Sequence, residues 1–220
     1  MKLTTSTLFF LFLASFNLKA DTKIIYVNPF NILEMEGNFD VTLQQGESNK
    51  ITIDAPKELV SNIKISESST HLSITSTDDL APYRRIHITI LFTQLKEIES
   101  KIYGTLRTQK AINLESLFLD IETSQPTALE LNVRKIDIDI TGKGDIQLKG
   151  HSSKANINVS MQGNLDASNF IVDYLNIDSS SSGNVIVNAK IEASANNTGK
   201  GKLKFDGDAQ TVDFCPTEFS

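Results

Sequence analysis

The chain has 220 residues, with 21 Lys and Arg against 27 Asp and Glu and a formal net charge of −6. A hydrophobic share of 40% with 22% charged residues excludes wholesale disorder, and the acidic balance excludes the basic footprint of a nucleic-acid binder. The single cysteine, Cys215, excludes an intramolecular disulfide framework and a cysteine-rich metal cluster.

In chain order, Met1 and Lys2 give a short positive start, and the run Leu8-Phe9-Phe10-Leu11-Phe12-Leu13-Ala14-Ser15-Phe16 is apolar. The run is too short to span a bilayer and suits a secretory signal, with cleavage expected at Ala20/Asp21. No cysteine follows it to carry a lipid, and no later run is long enough to cross a membrane. The expected chain is therefore exported and soluble after processing: periplasmic, secreted or held at the cell surface. Residues 1–20 are assigned to the signal and 21–220 to one domain. That domain divides into an N-terminal β segment (21–94), repeat coils (95–207) and a C-terminal tail (208–220). Cys215 has no candidate base beside it in the tail and reads as structural. Pro216 is placed to stop a strand there.

The segment after the signal reads as β. Ile51-Thr52-Ile53, Ile63-Lys64-Ile65, Leu72-Ser73-Ile74 and Ile86-His87-Ile88-Thr89-Ile90 alternate apolar and polar residues. Only Pro56 to Asn62 suits a helical turn or two. Texture changes near Leu95, where separate strands give way to repetition. The signature is Gly144-Asp145-Ile146, Gly163-Asn164-Leu165, Gly183-Asn184-Val185 and Gly201-Lys202-Leu203, with Gly104-Thr105-Leu106 a weaker copy. The anchors Ile146, Leu165, Val185 and Leu203 are 19, 20 and 18 residues apart. That period with β texture predicts a parallel β-helix, a β-solenoid whose coils bury their apolar faces only by stacking. The glycines are expected to supply positive φ at tight corners. Aligned first strands place Leu117/Leu119, Ile136/Ile138, Ala155/Ile157, Leu175/Ile177 and Ile191/Ala193 inward. Asp120, Asp139, Asn158, Asp178 and Ser194 then face outward in one row.

Gly37-Asn38-Phe39-Asp40-Val41-Thr42-Leu43-Gln44-Gln45-Gly46 opens a pattern that continues through Ile51-Thr52-Ile53, Pro56–Val60, Ile63-Lys64-Ile65 and Leu72-Ser73-Ile74 into the glycine repeats. Over roughly residues 24–212 it resembles the bacterial head GIN domain family, labelled an autotransporter adhesin head on inference alone. The chain departs from the family in using Gly-Lys-Gly, Gln-Gly and Ser-Gly where Ser-Gly-Ser-Gly prevails. Gln125-Pro126-Thr127 replaces the motif outright in one coil. The resemblance implies a β-helix of stacked short strands and no catalytic residues.

Chemical motifs are sparse. His71 and His87 fall on predicted strands and His151 in a loop, without metal-binding spacing. There is no nucleophile elbow, Walker loop or dinucleotide fingerprint. Arg84-Arg85 reads as a solvated loop. Exposed aromatics would mark a sugar-stacking surface, for which Tyr83, Tyr103 and Tyr174 are the candidates, although packing in the core or at coil ends is the expectation for each. Phe39, Phe170 and Phe205 read as core or cap residues. Phe118 falls outward and is expected to pack under the N-terminal segment. The best constellation is the acidic ladder of Asp120, Asp139, Asn158 and Asp178, with Asp137 on the same face. Like charges one rung apart repel unless water, salt or a cation separates them. No cofactor is expected, and calcium is the one ion such oxygens would suit. The reading is a non-enzymatic, adhesion-like or scaffolding module whose polar ladders contact a glycan or protein surface. The alternatives are a β-helical carbohydrate-active enzyme and a purely structural envelope protein that assembles through open solenoid ends.

Overall fold

The computed structural model describes residues 21–76, 86–209 and 211–215. The signal segment, Tyr83, Arg84-Arg85 and Pro216 lie outside the described residues. In chain order the elements are β1 (Asp21–Tyr26), β2 (Ile32–Gly37), β3 (Phe39–Gln45), β4 (Lys50–Ala55), the single-turn α1 (Lys57–Val60), β5 (Ile63–Ser68), β6 (His71–Ser76) and β7 (Ile86–Phe92). They continue with β8 (Glu97–Ile102), β9 (Leu106–Thr108), β10 (Ile112–Thr123), β11 (Thr127–Gly142), β12 (Ile146–Met161), β13 (Leu165–Ser179), β14 (Val185–Asn197), β15 (Leu203–Asp206) and β16 (Thr211–Cys215).

The long strands bend once and serve two coils. In β11, Thr127, Leu129, Leu131 and Val133 point inward, Arg134 and Lys135 both point out, and Ile136, Ile138 and Ile140 point inward again. Two consecutive outward residues mark a corner, because strict alternation would hold on a straight strand. Each coil therefore has a first arm such as Ile136–Thr141, a tight turn, and a second arm such as Ile146–Ser152. The arms stack in parallel register on the next coil: Ile136 on Ala155 and Ile138 on Ile157, then Ala155 on Leu175 and Ile157 on Ile177. The result is a β-solenoid of about six turns, as the sequence period predicts. One core cluster runs through it from Phe30 to Ala195, with Phe39 and Phe170 fully buried. Burying one such aliphatic or aromatic side chain contributes about 1.5–3 kcal/mol, and no coil completes that burial alone.

The Gly-Asx-aliphatic triplet has a different basis from the one expected. Among the described glycines, positive φ occurs at Gly37, Gly142, Gly150 and Gly207, not at Gly144, Gly163, Gly183 or Gly201. The turn glycines are required by close approach. A Cβ on Gly163 would lie 2.3 Å from the Gly144 carbonyl oxygen, and one on Gly183 would lie 1.8 Å from that of Gly163. The residue after each glycine ties the coils together. Asp145 Oδ1 accepts from the Asn164 backbone N–H at 2.8 Å, Asn164 Oδ1 from Asn184 N–H at 3.0 Å, and Asn184 Oδ1 from Lys202 N–H at 3.3 Å. Asp40 has the same part earlier in the stack, accepting both the N–H and the hydroxyl of Thr105 at 2.8 Å.

The N-terminal strands belong to the same sheet, in an order the sequence does not announce. β2 and β3 form a coil that is first in the chain and second in the rod. β6 and β7 stack on its outer side in parallel, while β8 and β9 stack on its inner side. β4 and then β1 add antiparallel strands beyond β7, and β5 adds one beyond β6. α1 links β4 to β5 and sets Leu59 against the core. Regular winding starts at β8, beside the texture change at Leu95. At the far end, β16 pairs in parallel with β14 and so adds one more rung.

Three local expectations are corrected. Ala193 and Ala195, not Ile191 and Ala193, lie beneath Leu175 and Ile177. Two residues, Lys190 and Ile191, round a corner that Asp173 alone rounds in the preceding coil, which leaves Ile191 43% exposed. Asn196 therefore stands in the outward row at the place assigned to Ser194. His151 lies on β12 rather than in a loop. Tyr103 and Tyr174 are exposed rather than packed, and Phe118 is outward between Glu97 and Asp137 instead of covered.

A methyl group at the backbone contact should cost more than one against a flexible side chain. Gly183→Ala is expected to lower stability by about 1–3 kcal/mol in urea unfolding. Gly46→Ala, whose new methyl would meet only the Leu91 side chain, should cost clearly less. Equal losses would show that the turn ladder does not limit coil spacing.

Candidate functional site

In-register stacking brings the outward residues of the first arms into rows. One row runs Glu34, Glu99, Asp120, Asp139, Asn158, Asp178, Asn196. The neighbouring row runs Ile32, Glu97, Phe118, Asp137, Asn156, Asn176, Ser194. The structure thus brings Asp120, Asp139, Asn158 and Asp178 together in one row and sets Asp137 beside them. Glu34 and Glu99 were missed because they precede the recognisable repeat, and the parallel pairing of β2 with β8 leaves no periodic signal. Asn196 was missed through the register slip. Its asparagine side chain, which matches the other rungs better than Ser194, was the available clue.

Adjacent rungs lie about 4.8 Å apart, so charge on this face is set by which residues the register stacks. Two contacts relieve it. Asn156 Nδ2 donates to Asp137 Oδ1 at 2.6 Å, and Asn158 Nδ2 donates to Asp139 Oδ1 at 2.7 Å. Asp120 has no such amide. Burial first, then the adjacent Asp139 and Glu99 carboxylates, raise its pKa above the ordinary carboxylate value, with Lys101 acting in the opposite sense. Among the described residues no three His, Cys, Asp or Glu side chains converge as a metal-binding group. Each histidine instead sits by one carboxylate on a neighbouring strand: His71 with Glu34 at 3.2 Å, His87 with Asp40 at 3.5 Å and His151 with Asp173 at 3.4 Å.

The face divides by chemistry. Its N-terminal part is acidic, whereas the outward positions Asn156, Asn158, Asn176, Asp178, Ser194 and Asn196 include one carboxylate. Two grooves lie on that second part. One of about 340 Å³ is lined by Asp139, Asn158, Asp178 and Asn196, among others, and one of about 450 Å³ by Lys154, Asn156, Tyr174, Asn176, Glu192 and Ser194, with Leu175.

In-register stacking thus defines a β-solenoid with a regular polar outer face. The description "Putative auto-transporter adhesin, head GIN domain" matches residues 29–209, and the chain belongs to that family. No curated protein matches the chain significantly in sequence. Solved structures share the fold. A "putative adhesin" from Bacteroides fragilis is similar with a TM-score of 0.84 at 20% identity, over 89% of this chain and 92% of the other. A "Putative lipid binding protein" from Parabacteroides distasonis is similar with a TM-score of 0.63 at 15% identity, over 91% and 96%. A "putative adhesin" from the same organism is similar with a TM-score of 0.62 at 15% identity, over 90% and 98%. No helix among the described residues is long and apolar enough to cross a membrane.

The raised pKa of Asp120 fixes a sign. Its folded-state value lies above the unfolded value of about 3.8, so the folded chain takes up the extra proton as pH falls through that window and stability rises there. Above the folded value the penalty is complete. Asp120→Asn is expected to stabilise the fold at pH 7 by roughly 0.2–0.5 kcal/mol after solvent screening, with the gain fading near pH 3.8 and in high salt. Thermal unfolding across pH tests this, and a variant less stable at pH 7 would contradict it.

Proposed function

We propose that the chain is an exported, non-enzymatic binding module of the bacterial envelope that engages a partner surface through the outward face of its first arms. The observation that carries this reading is the unbroken polar row from Glu34 to Asn196, held in register by the coil stack. Many weak, parallel contacts from a rigid face give a combined affinity that no single residue supplies. Membership in the head GIN family and the adhesin names of the structural neighbours support export and surface contact. The same geometry weighs against a carbohydrate-cleaving enzyme. An acid and a base or nucleophile must flank a glycosidic bond, whereas Asp120 and Asp139 project side by side from one sheet. Neither a cofactor nor calcium is part of the proposal.

The chain applied to a glycan array and to an overlay of envelope proteins should bind saturably to one or more components, with binding retained in EDTA. Charge-reversing substitutions at Asp120, Asp139 and Asp178 on the first-arm face should weaken binding, whereas those at Glu130 and Lys149 on the second arms should not. Binding that follows the second-arm variants, or products of cleavage in the glycan wells, would overturn the proposal. Full-length chain made in a bacterial host should be recovered outside the cytoplasm with its N-terminus at Asp21, read by mass spectrometry. An intact N-terminus in the cytoplasm would refute the export component.

A further inference from the structure

We infer that the amide-rich part of the first-arm face is a glycan-binding groove, with Tyr174 as its stacking platform and Asp178, between Asn158 and Asn196, as its hydroxyl acceptor. The inference rests on the surface-binding reading above and names both its site and its ligand class. The two grooves share the same strands: Asn156, Asn176 and Ser194 line one, and the next outward residues, Asn158, Asp178 and Asn196, line the other. From the Tyr174 end to Thr198 the lining advances by three steps of two residues along the strands, roughly 20 Å, which accommodates a short oligosaccharide.

The hydrogen-bonding state of the lining selects the ligand. The Asn158 amide nitrogen is committed to Asp139, which leaves its Oδ1 as an acceptor. Asp178, one rung on, is exposed and has no hydrogen bond or ion pair among the described residues. Asn196 Oδ1, one rung further, is buried against the groove without a donor. Asn158 Oδ1 and the exposed Asp178 carboxylate thus present unfilled acceptors on consecutive rungs, which suits the donors of adjacent sugar hydroxyls. The acidic part of the face offers far more charge, but there the field would reward a cation rather than a polyol. At the other end Tyr174 is 48% exposed, and Ile191, next to the Glu192 that pairs with Tyr174, is 43% exposed. An exposed ring beside a row of amides matches the two faces of a pyranose, C–H on one side and hydroxyl at the rim.

The test uses the full chain with neutral polysaccharides as probes, namely mannan, xylan, dextran and a soluble β-glucan, with poly-lysine as the cationic comparison. Binding is measured by affinity electrophoresis and calorimetry. One or more of the neutral polysaccharides should bind. Tyr174→Ala and Asp178→Ala should each weaken that binding at least tenfold, Tyr174→Phe should retain it, and all variants should unfold like the parent. Polysaccharide binding insensitive to both alanine variants would overturn this site while leaving the surface-binding reading intact. Binding of poly-lysine but of no polysaccharide would overturn the ligand class and redirect that reading to a basic partner. Absence of every surface interaction, here and on the array, would remove both.

Discussion

The structure depends on one contact: at Gly104, Gly144, Gly163, Gly183 and Gly201 the turn glycine lies directly on the backbone of the coil before it. At Gly183 the space left for a Cβ is filled by the Gly163 carbonyl oxygen. Once the coils close to that distance, the following Asp or Asn reaches the next coil's N–H, and the aliphatic residue after it drops into the core. Close approach, hydrogen bond and burial are thus encoded in three consecutive residues, and each supports the other two. The register they fix extends beyond the turn. It aligns the inward ladder and, necessarily, the outward rows as well.

Alignment has an electrostatic consequence. Parallel in-register stacking places each outward side chain beside its equivalents, so a carboxylate repeated at one coil position meets another one rung away. The chain meets this constraint in two ways. In the N-terminal part it tolerates the repulsion, which adds to burial in raising the pKa of Asp120. Further along it alternates, with Asn156 and Asn158 donating to Asp137 and Asp139. Amides then replace most carboxylates, and the face passes from acidic to nearly neutral along the rod. The same logic bears on end-to-end assembly. The Asx ladder finishes at Lys202, whose side chain offers no acceptor to a further coil, and the opposite end carries antiparallel strands and α1. Neither second-arm end therefore continues the pattern that joins one coil to the next.

Legibility followed the same division. The period, the inward ladder and the outward Asp120-Asp139-Asn158-Asp178 row were readable because identical spacing repeats identical environments. The family resemblance at Gly37–Gly46 pointed to the same architecture. The last coil misled because a corner of two residues replaced one, and nothing in Lys190-Ile191 marks the difference. Placing Ile191 inward was the natural reading of an isoleucine at a strand start, whereas two alanines occupy the core there. The glycines were placed correctly for an incorrect reason, since a sequence shows that a side chain is absent but not whether φ or space forbids it. The spatial order of β6–β7 outside β2–β3 was hidden because it is set by long-range parallel pairing, which leaves no local period. Tyr174 was one of three candidate sugar-stacking tyrosines, with packing the favoured expectation. Its exposure follows from its place at a corner, where two successive residues turn outward.

The gradient along the face also separates two ways in which such a rod can hold a partner. An acidic field acts at a distance and weakens with salt, so it favours encounter and orientation. An amide-lined groove acts only at contact, through hydrogen bonds of limited net strength that gain from being held rigid. Rigidity is what the turn ladder supplies, because Asn158, Asp178 and Asn196 lie on strands and not on loops. A site built on strands loses little conformational entropy on binding, which lets weak, repeated contacts sum. A surface-binding role on this fold therefore requires no deep pocket, but it does require that the register hold. Such a role depends on chemically silent residues such as Gly163 and Gly183, whose close backbone contacts set that register.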